Sequence, residues 1–158
     1  MMLQSTIYEK QNISLASAPW TMHEFFAGSG LVAYGLKGMF APIWANDISE
    51  QKAAVYEANF GDNHFELGDI KDIDGHNLPF AHLSWASFPC QDLSLAGSIG
   101  GIHASRSGLV WEWLRVLDEM DTPPKILLLE NVSGLLSTNG GDNYRTLHMA
   151  RRNTPSLS

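Results

Sequence analysis

Short apolar runs alternate with helical patterns along the chain. Five apolar runs, each closing on polar, glycine or proline residues, predict β-strands. These runs are Met22–Phe26, Ile43–Asn46, Phe65–Leu67, Leu83–Phe88 and Ile126–Leu129. Three- and four-residue apolar spacing or capping residues predict helices over Ser29–Leu36, Ser49–Asn59 and Ser107–Met120. The alternation is typical of an α/β fold, a mostly parallel sheet with flanking helices.

Candidate ligand-binding residues follow the first three predicted strands. Gly28 and Gly30 form a strand-to-helix turn, where glycine lets a ligand approach the backbone closely. This turn is a weak signal alone, because Ala33 stands where a dinucleotide fingerprint has its third glycine. Asp47 and Asp69 end the next two strands, and single acids at such places are more often turn residues or helix caps. Together, however, they favour a nucleoside cofactor, because an acid after the second strand can bridge ribose hydroxyls.

The chain's single cysteine, Cys90, follows the fourth predicted strand. A lone cysteine is usually an inert, buried small residue. Its place at the same sheet edge as the candidate cofactor site favours a nucleophile instead, and the glycine-rich segment Ala96–Gly108 predicts a mobile lid. Glu130 directly follows the fifth strand. It is either a solvated strand end or a proton donor beside the thiol.

Length and charge narrow the class of protein. A chain of 158 residues, 44% hydrophobic, suits one domain with a sizeable core. Its net charge of −7 has the wrong sign for an autonomous nucleic-acid binder, since basic groups must neutralise phosphates. One cysteine and no long apolar run predict a soluble, cytoplasmic protein without membrane segments. The six histidines lack metal-ligand spacing with a cysteine pair, so no metal is expected.

Four segments in order resemble the DNA cytosine-5 methyltransferases: F-F-A-G-S-G, F-P-C-Q-D-L-S-L-A-G, S-R-S-G-L and L-L-L-E-N-V. The similarity covers roughly Met22 to Thr146. It implies a Rossmann-like, S-adenosylmethionine-dependent methyltransferase fold in incomplete form. The sequence departs from the family pattern at Leu31, where a glycine is usual, and at Asp47, where several relatives have glutamate.

The resemblance also implies roles for individual residues. The implied S-adenosylmethionine site comprises Phe26 against the adenine, Ala27, Gly28, Gly30, Asp47 at the ribose, Ile48, and Asp69 with Ile70 at the adenine. Cys90 is implied as the nucleophile that adds to C6 of a flipped cytosine, and Glu130 as the acid that protonates N3. Gln91 and Asn131 would position the catalytic groups.

The resemblance further suggests how the chain divides. Residues 1–20 are expected to be a loosely ordered leader, residues 21–147 a partial catalytic domain and residues 148–158 an irregular tail. The target-recognition domain of the family is expected to be absent. Three interpretations remain: a subunit that methylates double-stranded DNA with a complementary carboxyl-terminal chain, an inactive truncated remnant, or a non-catalytic binding module.

Overall fold

The structure, a computed structural model, describes residues 20–89, 108–131 and 133. Its strands are β1 (Trp20–Phe25), β2 (Phe40–Asp47), β3 (Phe65–Leu67), β4 (Leu83–Ala86) and β5 (Ile126–Leu129). Its α-helices are α1 (Leu31–Gly35), α2 (Glu50–Phe60) and α3 (Leu109–Glu119). Two 3₁₀ helices, Ile70–Asp72 and Gly75–Asn77, lie between β3 and β4. None of the described helices is long and apolar enough to cross a membrane.

The described strands form one sheet in the order β3-β2-β1-β4-β5. Every neighbouring pair is parallel. The predicted α/β fold with a parallel sheet is therefore confirmed. After β3 the chain crosses back to the other side of β1, so the strand order reverses between β1 and β4. In such sheets a crevice for ligands opens at this switch point, outside the carboxyl ends of the strands.

Apolar packing covers both faces of the sheet. On one face, α3 packs through residues such as Trp113 and Leu117 against Phe25 and Trp44. The Trp113 indole donates a 2.9 Å hydrogen bond to Ser84 Oγ, which satisfies a buried N–H on that face. On the other face, α1 and α2 bury Ala33 and Tyr56 against Met22, Ala45 and Leu83. Among the described residues, the sheet is thus held between two apolar layers, and the candidate site lies at its carboxyl edge.

Several strand ends differ from the predicted ones. β1 stops at Phe25 because Phe26 has a φ of 57°, a left-handed conformation that cannot continue a strand. β2 begins at Phe40, three residues earlier than predicted, and includes the buried Pro42. The register with β1 shifts next to the pair that Pro42 forms with Met22. Since proline has no N–H to donate, this irregularity accommodates it within a central strand.

The two 3₁₀ helices were not expected, because three residues are too few to show a period. Their caps explain them: Asp69 Oδ1 accepts the Lys71 N–H at 3.1 Å, and Asp74 Oδ1 accepts the His76 N–H at 3.0 Å. Both aspartates therefore close tight turns that fix the path from β3 to β4.

Several predicted features lie outside the described residues. They are the leader before Trp20, Cys90, Gln91, the candidate lid up to residue 107, and the tail after residue 147.

Candidate cofactor and catalytic site

A cleft of about 310 Å³ lies at the carboxyl edge of the sheet. Its lining residues are Phe26, Asn46, Asp47, Ile48, Lys52, Gly68, Asp69, Ile70, Ser87, Pro89 and Leu109. They come from the ends of β1 to β4 and from the first turns of α2 and α3. The structure therefore brings five of the predicted cofactor residues together in one cleft, and it places the residue before Cys90 at the same cleft.

The two glycines of the β1–α1 turn have different surroundings. Both have positive φ, 58° at Gly28 and 83° at Gly30, which favours glycine. A Cβ atom added at Gly28 would meet nothing within 4 Å. One added at Gly30 would collide with the Phe60 ring and lie 3.0 Å from the Tyr56 ring. Gly28 therefore leaves space open, whereas Gly30 lets the turn pack tightly against α2.

Asp47 ties this turn to α2. Its carboxylate is buried, and Oδ2 accepts the Gly28 N–H while Oδ1 accepts the Ser49 N–H, both at 2.9 Å. The Lys52 ammonium lies 4.0 Å from Oδ2. Each carboxylate oxygen can accept more than one hydrogen bond, so the group can hold the turn and still receive a ribose hydroxyl. The aspartate is thus both a structural brace and a candidate ligand.

The end of β3 is fixed by backbone contacts. The Asn46 amide donates to the carbonyl oxygens of Glu66, at 2.8 Å, and Gly68, at 3.0 Å. Beyond Gly68, the Asp69 carboxylate caps the first 3₁₀ helix. The Ile70 side chain is only 2% exposed and belongs to the core beneath the cleft. Asp69 is therefore a helix cap, the common role of a lone acid at a strand end, and it also lines the cleft.

The aromatic and apolar wall is built from β1 and β4. The Phe26 ring lies edge-on to the Phe88 ring, with 6.5 Å between centroids, and lines the cleft. Ile48 is 68% exposed at the cleft, so it can lose water when a flat apolar group binds. Ala27 is buried, and its N–H donates to the Asn46 carbonyl at 2.8 Å. Ala27 supports the turn without lining the cleft.

A buried carboxyl lies in β1 close to the Gly28–Gly30 turn. Glu24 is fully enclosed, and the Tyr56 hydroxyl donates to its Oε2 at 3.5 Å and contacts His64 Nε2 at 3.3 Å. Burial raises the pKa of Glu24 to about 7, against hydrogen bonds from backbone N–H groups and Tyr56 that lower it. Burial also raises the pKa of Tyr56 and lowers that of His64. A substantial fraction of Glu24 is therefore uncharged near neutral pH.

The candidate catalytic acid, Glu130, directly follows β5. The Glu130 N–H donates to the Ala86 carbonyl at 2.9 Å, and Ala86 pairs with Leu129 in the parallel register. The Glu130 side chain is exposed and Asn131 is half-buried. This register sets Glu130 beside Ser87, three residues before Cys90 in the chain. The nucleophile itself and Gln91 lie outside the described residues.

Sequence reasoning missed several residues of the site. The cleft is also lined by Lys52, Ser87 and Leu109. The buried Glu24 lies in β1, just before the β1–α1 turn. Lys52 could have been found, because it lies in the first turn of a helix whose N-terminus faces the strand ends. The available signal for Glu24 was a glutamate inside a predicted strand of a sheet covered on both faces, since such a residue must be buried with partners. Leu109 gave no separate signal, because it fits the apolar stripe of α3.

The fold and the cleft define an α/β protein with a Rossmann-like parallel sheet and a ligand cleft at its carboxyl edge. Two solved structures share this fold: the S. pombe Dnmt2 methyltransferase, with 22% identity and a TM-score of 0.63, and a putative DNA modification methyltransferase of an E. coli prophage, with 18% identity and a TM-score of 0.65. The match covers 84% and 83% of this chain, and 40% and 37% of those proteins.

A model of the C-5 cytosine-specific DNA methylase family matches residues 20–150, and the chain belongs to this family. Type II methyltransferase M.BsuFI of Bacillus subtilis is 32% identical over 141 residues, 89% of this chain and 33% of that protein. Type II methyltransferase M.Bsp6I of Bacillus sp. strain RFL6 is 31% identical over 128 residues, 79% of this chain and 40% of that protein. The chain thus spans about a third to two-fifths of these relatives' length.

Proposed function

We propose that the chain carries the S-adenosylmethionine site and the nucleophile of a DNA cytosine-5 methyltransferase. One observation supports this most directly: a single cleft joins Phe26, Asp47 and Asp69 to Pro89, the residue before Cys90. The proposed cofactor residues and the residue before the proposed nucleophile therefore meet at one sheet edge. The proposed catalytic domain is residues 21–147.

The described residues fit the adenosine part of this cofactor. Phe26 and Ile48 offer apolar surface to the adenine, and Asp47 offers carboxylate oxygens to the ribose hydroxyls. Asp69 accepts from the adenine amine in the same position where it caps the 3₁₀ helix. The open space at Gly28 lets the ligand approach the backbone. When bound, S-adenosylmethionine supplies an electrophilic methyl group.

The protein residues make the cytosine reactive toward that methyl group. The target base is flipped out of the duplex, because its ring atoms cannot be reached within the stack. The Cys90 thiolate forms a bond to C6 while the Glu130 carboxyl gives its proton to N3, and C5 becomes nucleophilic. After methylation a base removes the C5 proton, the C6–S bond breaks, and the thiolate leaves while N3 returns its proton to Glu130. Gln91 and Asn131 position these two groups.

DNA recognition in this proposal requires a complementary polypeptide. The chain carries a net charge of −7, and basic groups dominate affinity for phosphates. A carboxyl-terminal partner with the target-recognition domain would supply them. The chain alone therefore has little or no activity on double-stranded DNA.

Complementation tests this proposal. The chain is mixed with the carboxyl-terminal part of M.BsuFI that it does not match, and transfer of labelled methyl to duplex DNA is measured. Activity is expected only in the mixture, and Cys90→Ser and Glu130→Gln are expected to remove it. A matched control, Glu66→Gln, alters a glutamate at β3 outside the proposed machinery. Activity of the Cys90→Ser mixture would refute the nucleophile assignment.

A cofactor-binding module without catalysis is the second candidate. The observation in its favour is that Glu130, the proposed acid, is exposed and is not among the residues that line the cleft. It predicts calorimetric binding of S-adenosylmethionine without methyl transfer in any complemented mixture.

A further inference from the structure

Arg115 connects α3 to the backbone behind the cleft. Its Nη2 donates to the carbonyl oxygens of Ile70, at 3.2 Å, and Ile73, at 3.1 Å, and its Nη1 also donates to Ile73 at 3.1 Å. These carbonyls flank the first 3₁₀ helix, whose cap is Asp69. One guanidinium group thus bonds to both ends of the segment that forms one wall of the cleft.

Two glutamates of α3 hold this guanidinium in place. Its Nε donates to Glu112 Oε2 at 2.8 Å, and its Nη1 donates to the Glu119 carboxylate at 2.7 and 2.8 Å. Exposed ion pairs alone contribute little stability. The rigid, planar fork of donors is what lets one side chain bind two carboxylates and backbone carbonyls together, which lysine cannot do. The arrangement therefore orients the group toward the 3₁₀ segment.

The second 3₁₀ helix is bound to the same part of α3. The Gly75 N–H donates to Glu119 Oε2 at 3.0 Å. A Cβ atom added at Gly75 would collide with the Val116 carbonyl oxygen and would lie 2.7 Å from Glu119 Cβ. The β3–β4 connection is thus in close backbone contact with α3, so a change at Arg115 has few ways to be absorbed there.

Arg115 does not line the cleft, but α3 contributes Leu109 to the lining, and the first 3₁₀ segment contributes Ile70 with Asp69 before it. We propose that Arg115 is a positioning residue that sets the Asp69–Ile70 wall against the adenine of S-adenosylmethionine. This inference rests on the proposed function. It assigns part of the cofactor affinity to a side chain that does not contact the cofactor.

Calorimetric titration of the full chain with adenosine and with S-adenosylhomocysteine tests the proposal. Arg115→Lys keeps the positive charge and removes the planar set of guanidinium donors. It is expected to lower the affinity for both ligands by about tenfold or more, as the loss of charged hydrogen bonds does. Equal loss for the two ligands locates the effect at the adenosine end. Lys125→Gln, a charge change at an exposed lysine before β5, is expected to change affinity less than about twofold.

A double-mutant cycle separates positioning from general loosening. If Arg115 acts through the Asp69 wall, the losses of Arg115→Lys and Asp69→Asn are not additive, whereas those of Arg115→Lys and Asp47→Asn are. All affinities are measured below the onset of thermal unfolding. Should Arg115→Lys unfold the chain, Glu119→Gln, which retains an acceptor for Gly75 and weakens the hold on Arg115, replaces it in the cycle.

The outcomes discriminate the two proposals. Wild-type chain that binds neither ligand would overturn the proposed function and this inference with it. Wild-type binding that Arg115→Lys leaves unchanged, or that it weakens additively with Asp69→Asn, would overturn the inference alone.

Discussion

The two halves of the sheet present different strand ends to the cleft. At the ends of β2 and β3, the polar side chains of Asn46, Asp47 and Asp69 bond to backbone groups of nearby turns. Across the switch point, Glu130 is exposed, and β5 pairs only with β4 among the described strands. The cofactor half is therefore organised by its own contacts. On the catalytic half, the described contact that positions Glu130 is the backbone pairing of β5 with β4.

The largest effect is expected from substituting the two glycines of the β1–α1 turn, Gly28 and Gly30. Gly30→Ala is expected to lower the free energy of unfolding by about 4 kcal/mol, because it combines left-handed strain with a collision against Phe60. Gly28→Ala adds strain without a collision, about 1 kcal/mol, but places a methyl group in the open space beside the turn, where the proposed cofactor approaches the backbone. Denaturant unfolding and titration with S-adenosylhomocysteine measure both quantities.

Two results from the Gly28→Ala and Gly30→Ala pair would contradict this interpretation. Equal destabilisation by the two substitutions would mean that the turn yields at Gly30. Undiminished ligand affinity in Gly28→Ala would mean that the open space is not the binding site.

The second test concerns the buried acid below that turn. Burial raises the pKa of Glu24 to about 7 from an ordinary 4.5, so its stabilising contribution is complete below about pH 4.5 and is lost as pH rises through 7. The whole loss is about 3 kcal/mol. Glu24→Gln cannot ionise, so its stability relative to wild type is expected to increase between pH 5 and 8. Chemical denaturation at several pH values measures this difference.

The neighbouring His23 also titrates in wild type and in Glu24→Gln. The informative quantity is therefore the difference in unfolding free energy between the two proteins at each pH. Burial lowers the pKa of His23 to about 4, against a hydrogen bond from the His23 ring to the Pro79 carbonyl oxygen that raises it, so its contribution is present above pH 6.5 and is lost as pH falls through 4. Between these values the two slopes oppose each other in wild type, and the Gln variant exposes that of His23. A pH-independent difference between wild type and Glu24→Gln would show that the carboxyl does not titrate in this range.

The fold followed from the sequence because its signals are local and repeated. Apolar runs fix the strands, and the α3 stripe of Val110, Trp113 and Leu117 is buried as its spacing predicts. The strand ends were less predictable: β1 stops at Phe25 because Phe26 has a positive φ that aromatic residues rarely adopt, and no sequence period reports it.

The candidate site was predictable in part for the same reason. Strand-end acids can be read from the chain, so Asp47 and Asp69 were found. The Arg115 contacts with Ile70 and Ile73 join residues 45 and 42 positions apart, and they depend on how α3 packs across the sheet. Such contacts leave no local pattern, because arginine on a helix is ordinarily a solvated residue.

A smaller effect is expected at Asp47 itself. Asp47→Asn keeps one oxygen for a backbone N–H but turns an NH₂ group toward the other, so about 2 kcal/mol of stability should be lost. Affinity for S-adenosylhomocysteine should fall about tenfold or more if the carboxylate also receives the ribose. Asp62→Asn, at an exposed turn, serves as the control with a change below about 0.5 kcal/mol. Stability lost without affinity would leave Asp47 as a brace only.

The smallest effect is expected at the β5 edge. Leu128 is 39% exposed, so Leu128→Ala removes side-chain atoms that are already partly in water, and it should cost about 1 kcal/mol or less. Leu83→Ala, on the neighbouring β4 where Leu83 is 2% exposed, should cost about 3 kcal/mol and provides the matched comparison. The ratio is the quantity of interest, because both substitutions remove the same atoms. Equal costs from denaturant unfolding would show that Leu128 is packed as firmly as the core, and the contrast between the two halves of the sheet would then rest on Glu130 alone.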